Sequence, residues 1–269
     1  MGSGIHGSVQ SPALANRFVL LGASNLTLSL RLVIQLLQQR IGGPSDVLVA
    51  AGHGRSYGEF SQVMLRELPG ITSSGLWQRL EQAHARPIYA LLTDIGNDIP
   101  YGYTPEQILE WVGLCVTRLQ RQAIHIVMTN VPIASIKTIS EWRYKMLRSI
   151  LFPRCQLSRR EVFERASAVH HGLVEMAASK HFELLEPSSD WFGADAIHVR
   201  CWKRKAFYQC ITERFSASNG MQCLVAGNEP WGSMWKQRPR FAYKKVLGRE
   251  QYNQQPSGQL ADGTIISMY

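Results

Sequence analysis

Three side chains have the types and spacing that nucleophilic acyl chemistry needs. Asp195 and His198 stand three residues apart, so the carboxylate can accept a hydrogen bond from the imidazole within one turn. Such a bond fixes the tautomer and leaves the second ring nitrogen free to take a proton. Ser24 offers a hydroxyl, which becomes a nucleophile when such a base lies within hydrogen-bond reach. Ser24 would equally suit a simple helix cap.

These residues must be positioned by strands and helices that alternate along the chain. Apolar runs predict five strands, and helix-period segments predict the helices between them. The predicted strands are Arg17–Leu21, Asp46–Ala51, Pro87–Leu92, Ile124–Thr129 and Phe182–Leu185. The predicted helices are Asn25–Arg40, Phe60–Glu67, Leu76–His84, Pro105–Arg121, Ser158–Lys180 and Cys201–Phe215. This alternation predicts a three-layer α/β/α sandwich around a parallel sheet.

The residues that could take part in chemistry follow the carboxyl ends of these strands, where open α/β sheets bind ligands. Ser24 follows the first strand, the glycine-rich loop Gly52–Gly58 follows the second, and Asn97 follows the third. Asp195 and His198 lie between the last strand and the last helix. The helix N-terminus next to Ser24 would add free N–H groups and a positive partial charge for an oxyanion.

This order of motifs resembles the SGNH hydrolase superfamily, also called the GDSL esterase/lipase family, over residues 17–215. The resemblance implies a flavodoxin-like α/β/α sandwich with a five-stranded parallel sheet. It implies that Ser24 is the nucleophile, that His198 is the base and that Asp195 orients the base. It also implies an oxyanion hole built from the Ser24 N–H, the Asn97 side-chain amide and a glycine N–H of the second loop. No metal or organic cofactor is implied.

The second loop leaves the identity of that glycine open. We prefer Gly54, with Gly58 as the alternative, and the Arg55 N–H would also serve. The side chains of His53 and Arg55 are expected to meet the substrate. Trp191 is expected to wall the site, or else to pack beneath its loop.

Two departures from the family pattern predict a divergent member. Ala23 stands where the family usually has Asp before the serine, and Ile95 stands where it often has Gly. Neither change removes a group that does chemistry. The segment Ile133–Trp142 is either a lid or acyl-pocket wall, or a plain connector. Asp94 and Asp98, which flank Asn97, are expected to be solvated turn residues.

Composition excludes several classes of protein. The chain has 269 residues, of which 45% are hydrophobic, so wholesale disorder is excluded, and no apolar run suggests a membrane span. The net charge of +9 favours anionic partners, but no motif for nucleic-acid binding accompanies it. The five cysteines include no C-x-x-C pair, which predicts free thiols and a cytoplasmic location.

The sequence predicts three parts. Residues 1–16 form an N-terminal segment that is expected to be flexible, and residues 17–215 form the catalytic domain. Residues 216–269 form a basic, aromatic-containing arm or tail. A tail would be poorly ordered, whereas an arm would dock its aromatic residues on the domain or on a second subunit in a homo-oligomer.

The expected activity is hydrolysis of a small-molecule carboxylic ester or thioester through an acyl-enzyme intermediate. The same triad would support acyl transfer to an alcohol or amine, and the sequence does not choose between the two. A catalytically inactive basic binding domain on the same fold is the third alternative.

Overall fold

The computed structural model of the chain describes residues 13–82, 86–123, 125–215 and 235–269. Its strands are β1 (Asn16–Leu21), β2 (Ser45–Ala50), β3 (Ser61–Val63), β4 (Arg66–Leu68), β5 (Ile88–Leu92), β6 (His125–Thr129), β7 (Glu183–Leu185), β8 (Trp235–Gln237), β9 (Tyr243–Val246), β10 (Arg249–Tyr252), β11 (Gly258–Leu260) and β12 (Ile265–Met268). Its helices are α1 (Ser24–Ile41), α2 (Leu76–Glu81), α3 (Pro105–Gln120), α4 (Ile133–Lys137), α5 (Glu141–Leu151), α6 (Arg159–Lys180) and α7 (Arg204–Thr212).

The central sheet has eight strands in the order β7-β6-β5-β1-β2-β12-β11-β8. The five predicted strands are parallel and adjacent, and their order is that of a flavodoxin-like doubly wound sheet. Ser24 therefore follows the strand at the topological switch point, where such sheets bind ligands. The predicted fold class is confirmed, and the sheet is larger than the five strands that the resemblance implies.

Both faces of this sheet are covered, because successive β1 side chains enter two different cores. Phe18 and Leu20 pack with residues of α1 and α7 on one face. Val19 and Leu21 pack with residues of α2, α3 and α6 on the other. All four side chains are fully buried. A continuous apolar run is what a strand buried on both faces requires.

Segment 60–67 is not the short helix that its sequence predicts. It forms β3 and β4, an antiparallel pair that turns at Met64 in a left-handed conformation with φ 54°. The apolar residues that suggested a helix face, Phe60, Met64 and Leu65, are exposed. β4 pairs with β9 from the far end of the chain, so its partner is invisible to local spacing.

The C-terminal residues that the structure describes, 235–269, pair with the rest of the protein. β12 lies parallel to β2, and β11 and β8 extend that edge in antiparallel fashion. Trp235 and Phe241 pack against the core on the α1 side. Residues 1–12 and 216–234, which include Cys223 and Trp231, lie outside the described residues. None of the helices in the described part is long and apolar enough to cross a bilayer.

Truncating β12 tests its place in the fold. Ile266 is fully buried between β2 and the α1 side of the core. We expect Ile266→Ala to lower the free energy of unfolding by about 2–5 kcal/mol, because it leaves a cavity. The matched control is Leu247→Ala at an exposed hairpin position, which should change it by less than about 0.5 kcal/mol. Urea denaturation measures both values, and equal effects would contradict the pairing of β12.

Candidate active site

Ser24 begins α1, immediately after the carboxyl end of β1. The turn before it is fixed by Asp94, whose Oδ2 accepts the N–H groups of Ala23 (2.8 Å) and Leu26 (3.2 Å). Asp94 follows β5 with φ 61°, a left-handed conformation that aspartate tolerates. Its carboxylate thus caps the positive end of α1. The expectation of a solvated turn residue is wrong for Asp94.

Asn25 joins this turn to the loop that carries His198. The Asn25 Nδ2 donates to Asp94 Oδ1 and to the carbonyl oxygen of Ile197, both at 2.9 Å. Its Oδ1 accepts the N–H of Val199 at 2.8 Å. The two backbone groups bracket His198, so a single amide holds the backbone of His198 against the first turn of α1.

Asp195 and His198 have the local geometry that their spacing predicts. The ring Nδ1 lies 2.7 Å from Asp195 Oδ2, and Asp195 Oδ1 accepts the N–H of His198 at 2.9 Å. The hydrogen bond to the Asp195 carboxylate raises the pKa of His198, although burial acts in the opposite direction. Burial acts to raise the pKa of Asp195, but its hydrogen bonds with His198 outweigh burial and lower the pKa. The Nε2 atom is therefore the one placed to take a proton.

Ser24, Asn97 and Asp195 line one cavity. Within the described ranges, no hydrogen bond joins the Ser24 hydroxyl to the His198 ring. Catalytic hydrogen bonds are often long until substrate binds. The Asn25 amide, which bonds on both sides of His198, holds the backbone of His198 against the first turn of α1, where Ser24 lies.

The donors expected to bind an oxyanion differ in their availability. The Asn97 Nδ2 is buried and has no acceptor in the part of the chain that the structure describes. Gly54 turns its loop with φ 62°, and the Tyr101 hydroxyl donates to the Gly54 carbonyl oxygen at 2.6 Å. By contrast, the Gly58 N–H donates to Ser56 Oγ at 3.1 Å. The Gly58 N–H is thus already engaged, neither glycine lines the cavity, and Gly54 as the oxyanion donor stays a prediction.

Asp98 connects the second loop to the third. It is fully buried, its Oδ2 accepts the Tyr57 N–H at 3.0 Å, and burial raises the pKa of its carboxyl to about 6. Asp98 is therefore not the solvated turn residue that the sequence suggested. The hydrogen bond between Asp98 and Tyr57 fixes the loop that contains Gly54 relative to the loop that contains Asn97.

None of the three residues expected to contact substrate, His53, Arg55 and Trp191, lines the cavity. The Arg55 guanidinium is buried and donates to the main-chain oxygens of Pro69 and Tyr269, and burial lowers the pKa of Arg55 to about 9. This side chain is structural, so the substrate-binding prediction for Arg55 is wrong. The Trp191 and Phe207 rings pack edge to face, with their centroids 5.2 Å apart. Trp191 thus packs beneath its loop, which is the second of the two arrangements predicted for it.

His53 is exposed on the second loop, beside the predicted base. Burial of its ring lowers the pKa of His53, and the nearby charges of Arg66 and His198 lower it further. These effects favour the neutral form of the His53 ring over the charged form. Its expected contact with substrate stays a prediction.

The cavity beside Ser24 measures about 130 Å³ and has mostly apolar walls. Its lining includes Ile95, Ile99, Val131, Ile136, Ile139, Leu147, Leu151, Val162 and Phe192. The segment after β6, which the sequence left open as a wall or a connector, provides Ile136 and Ile139. Among the described residues, no group of three His, Cys, Asp or Glu side chains is arranged to hold a metal ion.

Sequence reasoning missed Asn25, Asp94 and the α5 wall. The sequence positions of Asn25 and Asp94 could have indicated a role in the site, since Asn25 directly follows the predicted nucleophile and Asp94 follows a strand end. Nothing local showed that they bond to each other.

Removing the Asp195 charge tests the coupling in this pair. We expect Asp195→Asn to lower the pKa of the His198 ring, because the largest cause of the raised value is the hydrogen bond to the carboxylate. An NMR titration of the imidazole protons measures this change. Asp190→Asn, in the exposed turn just before the loop, is the control that should leave the His198 titration unchanged. An unaltered titration in Asp195→Asn would refute the coupling.

Neither the family models nor the curated protein sequences contain a match to this chain. Solved structures do match. A carbohydrate acetylesterase family member from Sinorhizobium meliloti superposes with a TM-score of 0.51 at 12% identity, covering 73% of this chain and 95% of that one. An inhibitor-bound M. smegmatis aryl esterase superposes with a TM-score of 0.51 at 14% identity, covering 74% and 98%.

These likenesses concern the arrangement of strands and helices, since identity this low shows the fold alone. They span about three quarters of the chain, in agreement with the extent predicted from the motifs. The chain has the α/β/α fold of the SGNH hydrolases.

Proposed function

We propose that this protein hydrolyses esters or thioesters of apolar acyl groups, with Ser24 as nucleophile, His198 as base and Asp195 as the residue that orients the base. The observation that carries the proposal is the Asn25 amide, which bonds on both sides of His198 and so holds its backbone against the first turn of α1, where Ser24 lies. The lining of one cavity by Ser24, Asp195 and Asn97 supports the proposal, and the His198 ring is bonded to Asp195 at its edge.

The reaction begins when Ser24 Oγ attacks the acyl carbonyl carbon and its proton passes to His198 Nε2. The Asp195 carboxylate stabilises the imidazolium, consistent with the raised pKa of His198. The tetrahedral intermediate collapses as His198 returns the proton to the leaving alcohol or thiol. A water molecule, activated by His198 in the same way, then releases the acid and restores Ser24.

The negative charge on the intermediate needs donors that are already in place. In this proposal they are the Ser24 N–H, the Gly54 N–H and the Asn97 Nδ2. Since Asp94 bonds the N–H groups of Ala23 and Leu26, the Ser24 N–H at the same helix end is left for substrate. The unpartnered, buried Nδ2 of Asn97 fits this task.

The cavity walls define the class of acyl group. Branched aliphatic and aromatic side chains surround the space beside Ser24, and such a lining favours an apolar chain over a charged or sugar-like one. The walls come from α4, α5 and α6 as well as from the strand ends.

Replacing the nucleophile is the direct test of this activity. We expect Ser24→Ala to lower kcat for p-nitrophenyl butyrate by about 10³-fold or more and to abolish labelling by a fluorophosphonate probe. Ser29→Ala, a second buried serine of α1, is the matched control and should retain both. Wild-type activity in Ser24→Ala would exclude the assignment. A wild-type protein that neither labels nor hydrolyses would instead favour the inactive binding domain.

Asn25 is expected to act as a positioning residue through His198. We expect Asn25→Ala to lower kcat by about tenfold or more with KM little changed, because the His198 backbone loses both of its neighbouring anchors. Stability should fall by about 1–3 kcal/mol, since the Ile197 and Val199 backbone groups lose their partner. Steady-state kinetics and urea denaturation measure the two effects.

The control for this prediction is Asn253→Ala, which deletes an amide that bonds the Phe241 carbonyl oxygen at 2.9 Å in the C-terminal segment. That variant should lose stability without losing kcat. If both variants lose kcat in proportion to stability, Asn25 is merely structural.

A further inference from the structure

Helix α5 is apolar toward both the cavity and the solvent. None of its residues is buried. Toward the inside, Tyr144, Leu147 and Leu151 line the cavity beside Ser24. The opposite side carries an outer stripe, which we define as Trp142, Met146 and Ile150. These residues recur at four-residue spacing and therefore lie on one face of the helix.

The outer stripe is unusually exposed for its composition. Trp142 is 71% exposed and Ile150 is 69% exposed. Scattered apolar residues are normal on a protein surface, but a contiguous row on one helix indicates an interaction site. The row also continues into the cavity wall, since Leu151 is both exposed and part of the lining.

The charge around the outer stripe indicates which kind of partner binds there. Residues 137–160 contain seven lysines and arginines, at positions 137, 143, 145, 148, 154, 159 and 160, against the single acid Glu141. Much of the net charge of the chain is thus concentrated around this helix. A basic helix with a tryptophan-containing apolar face is typical of segments that lie in a membrane interface.

We propose that α5 docks this protein on an anionic lipid surface, with the outer stripe inserted among the acyl chains. The exposed basic residues of this region would face the headgroups; they are Lys137, Lys145, Arg154 and Arg160. Each basic residue near such a surface adds attraction, and the exposed indole suits the interfacial depth. A second copy of the chain is the poorer occupant, because it would bring two clusters of like charge together.

Docking would place the α5 wall of the acyl cavity at the lipid. The two faces of α5 belong to one helix, so the surface that touches lipid lies next to the space that would hold an acyl group. It follows that the ester is itself a component of a lipid surface. This last step rests on the proposed function, whereas docking on lipid does not.

The test is sedimentation of the full chain with vesicles of equal parts phosphatidylglycerol and phosphatidylcholine, and with vesicles of phosphatidylcholine alone. We expect binding to the anionic vesicles that weakens as salt is raised, and little binding to the neutral ones. The variant Trp142→Ser/Ile150→Ser should bind the anionic vesicles at least about tenfold more weakly, because two apolar side chains no longer insert. It should hydrolyse a short soluble ester at the wild-type rate.

The matched control is Trp202→Ser/Leu247→Ser, since Trp202 and Leu247 are likewise 71% and 69% exposed but lie on other elements. It should bind as the wild type does. Equal weakening in both double variants, equal binding to both kinds of vesicle, or concentration-dependent self-association in place of vesicle binding would overturn the docking proposal.

Ser24→Ala separates this proposal from the proposed function. Full vesicle binding by Ser24→Ala supports docking whatever the activity of the wild type. A wild type that hydrolyses soluble esters but ignores anionic vesicles retains the proposed function and overturns docking. A wild type that binds these vesicles but hydrolyses no ester overturns only the proposed function.

Discussion

The amide of Asn25 is the contact on which the geometry of the site depends. It touches the carboxylate at the end of β5 and two backbone groups of the loop before α7, and it is itself part of the first turn of α1. These groups are partly or fully buried and need hydrogen-bond partners. A missing bond in this network would therefore cost free energy of folding. Because an amide is rigid and planar, completing the network also fixes the distances between the three segments. In the proposed mechanism, stability and the alignment of His198 with Ser24 would therefore depend on the same hydrogen bonds.

The local parts of the site could be predicted from the sequence, and the long-range parts could not. Asp195 and His198 need only one turn of chain to meet, and Ser24 needs only the end of a buried strand. The partners of Asn25, by contrast, lie 172 and 174 residues away. Spacing carries no information about such contacts. The same holds for Arg55, which looked like a ligand for an anion but whose partner Tyr269 is distant in sequence.

The fold, like the site, has local parts that the sequence predicts and long-range parts that it does not. Five strands and their flanking helices follow from apolar runs and caps, which are local signals. One such cap is the capping box of Ser158 and Glu161 at the start of α6. The hairpin of β3 and β4 was mistaken for a helix because its pairing strand, β9, arrives from the C-terminal segment. β8, β11 and β12 are only three or four residues long, so their pairing with the sheet identifies them better than their sequence does.

One departure from the family motif has a structural counterpart. Ala23 occupies the position where the family usually has an aspartate, yet the N–H of this alanine still bonds to a carboxylate. Asp94 provides that carboxylate from the neighbouring strand. The turn that presents Ser24 is thus anchored by a carboxylate from a distant part of the chain.

The buried guanidinium of Arg55 ties the second loop to the residue that follows β12. Separation of β12 from the sheet would remove one hydrogen-bond acceptor from this buried cation, and a buried charge that loses an acceptor costs free energy. Pairing of the C-terminal segment and the order of the second loop are therefore expected to be coupled. A sequence change near residue 269 would then reach the backbone around Gly54 without touching it.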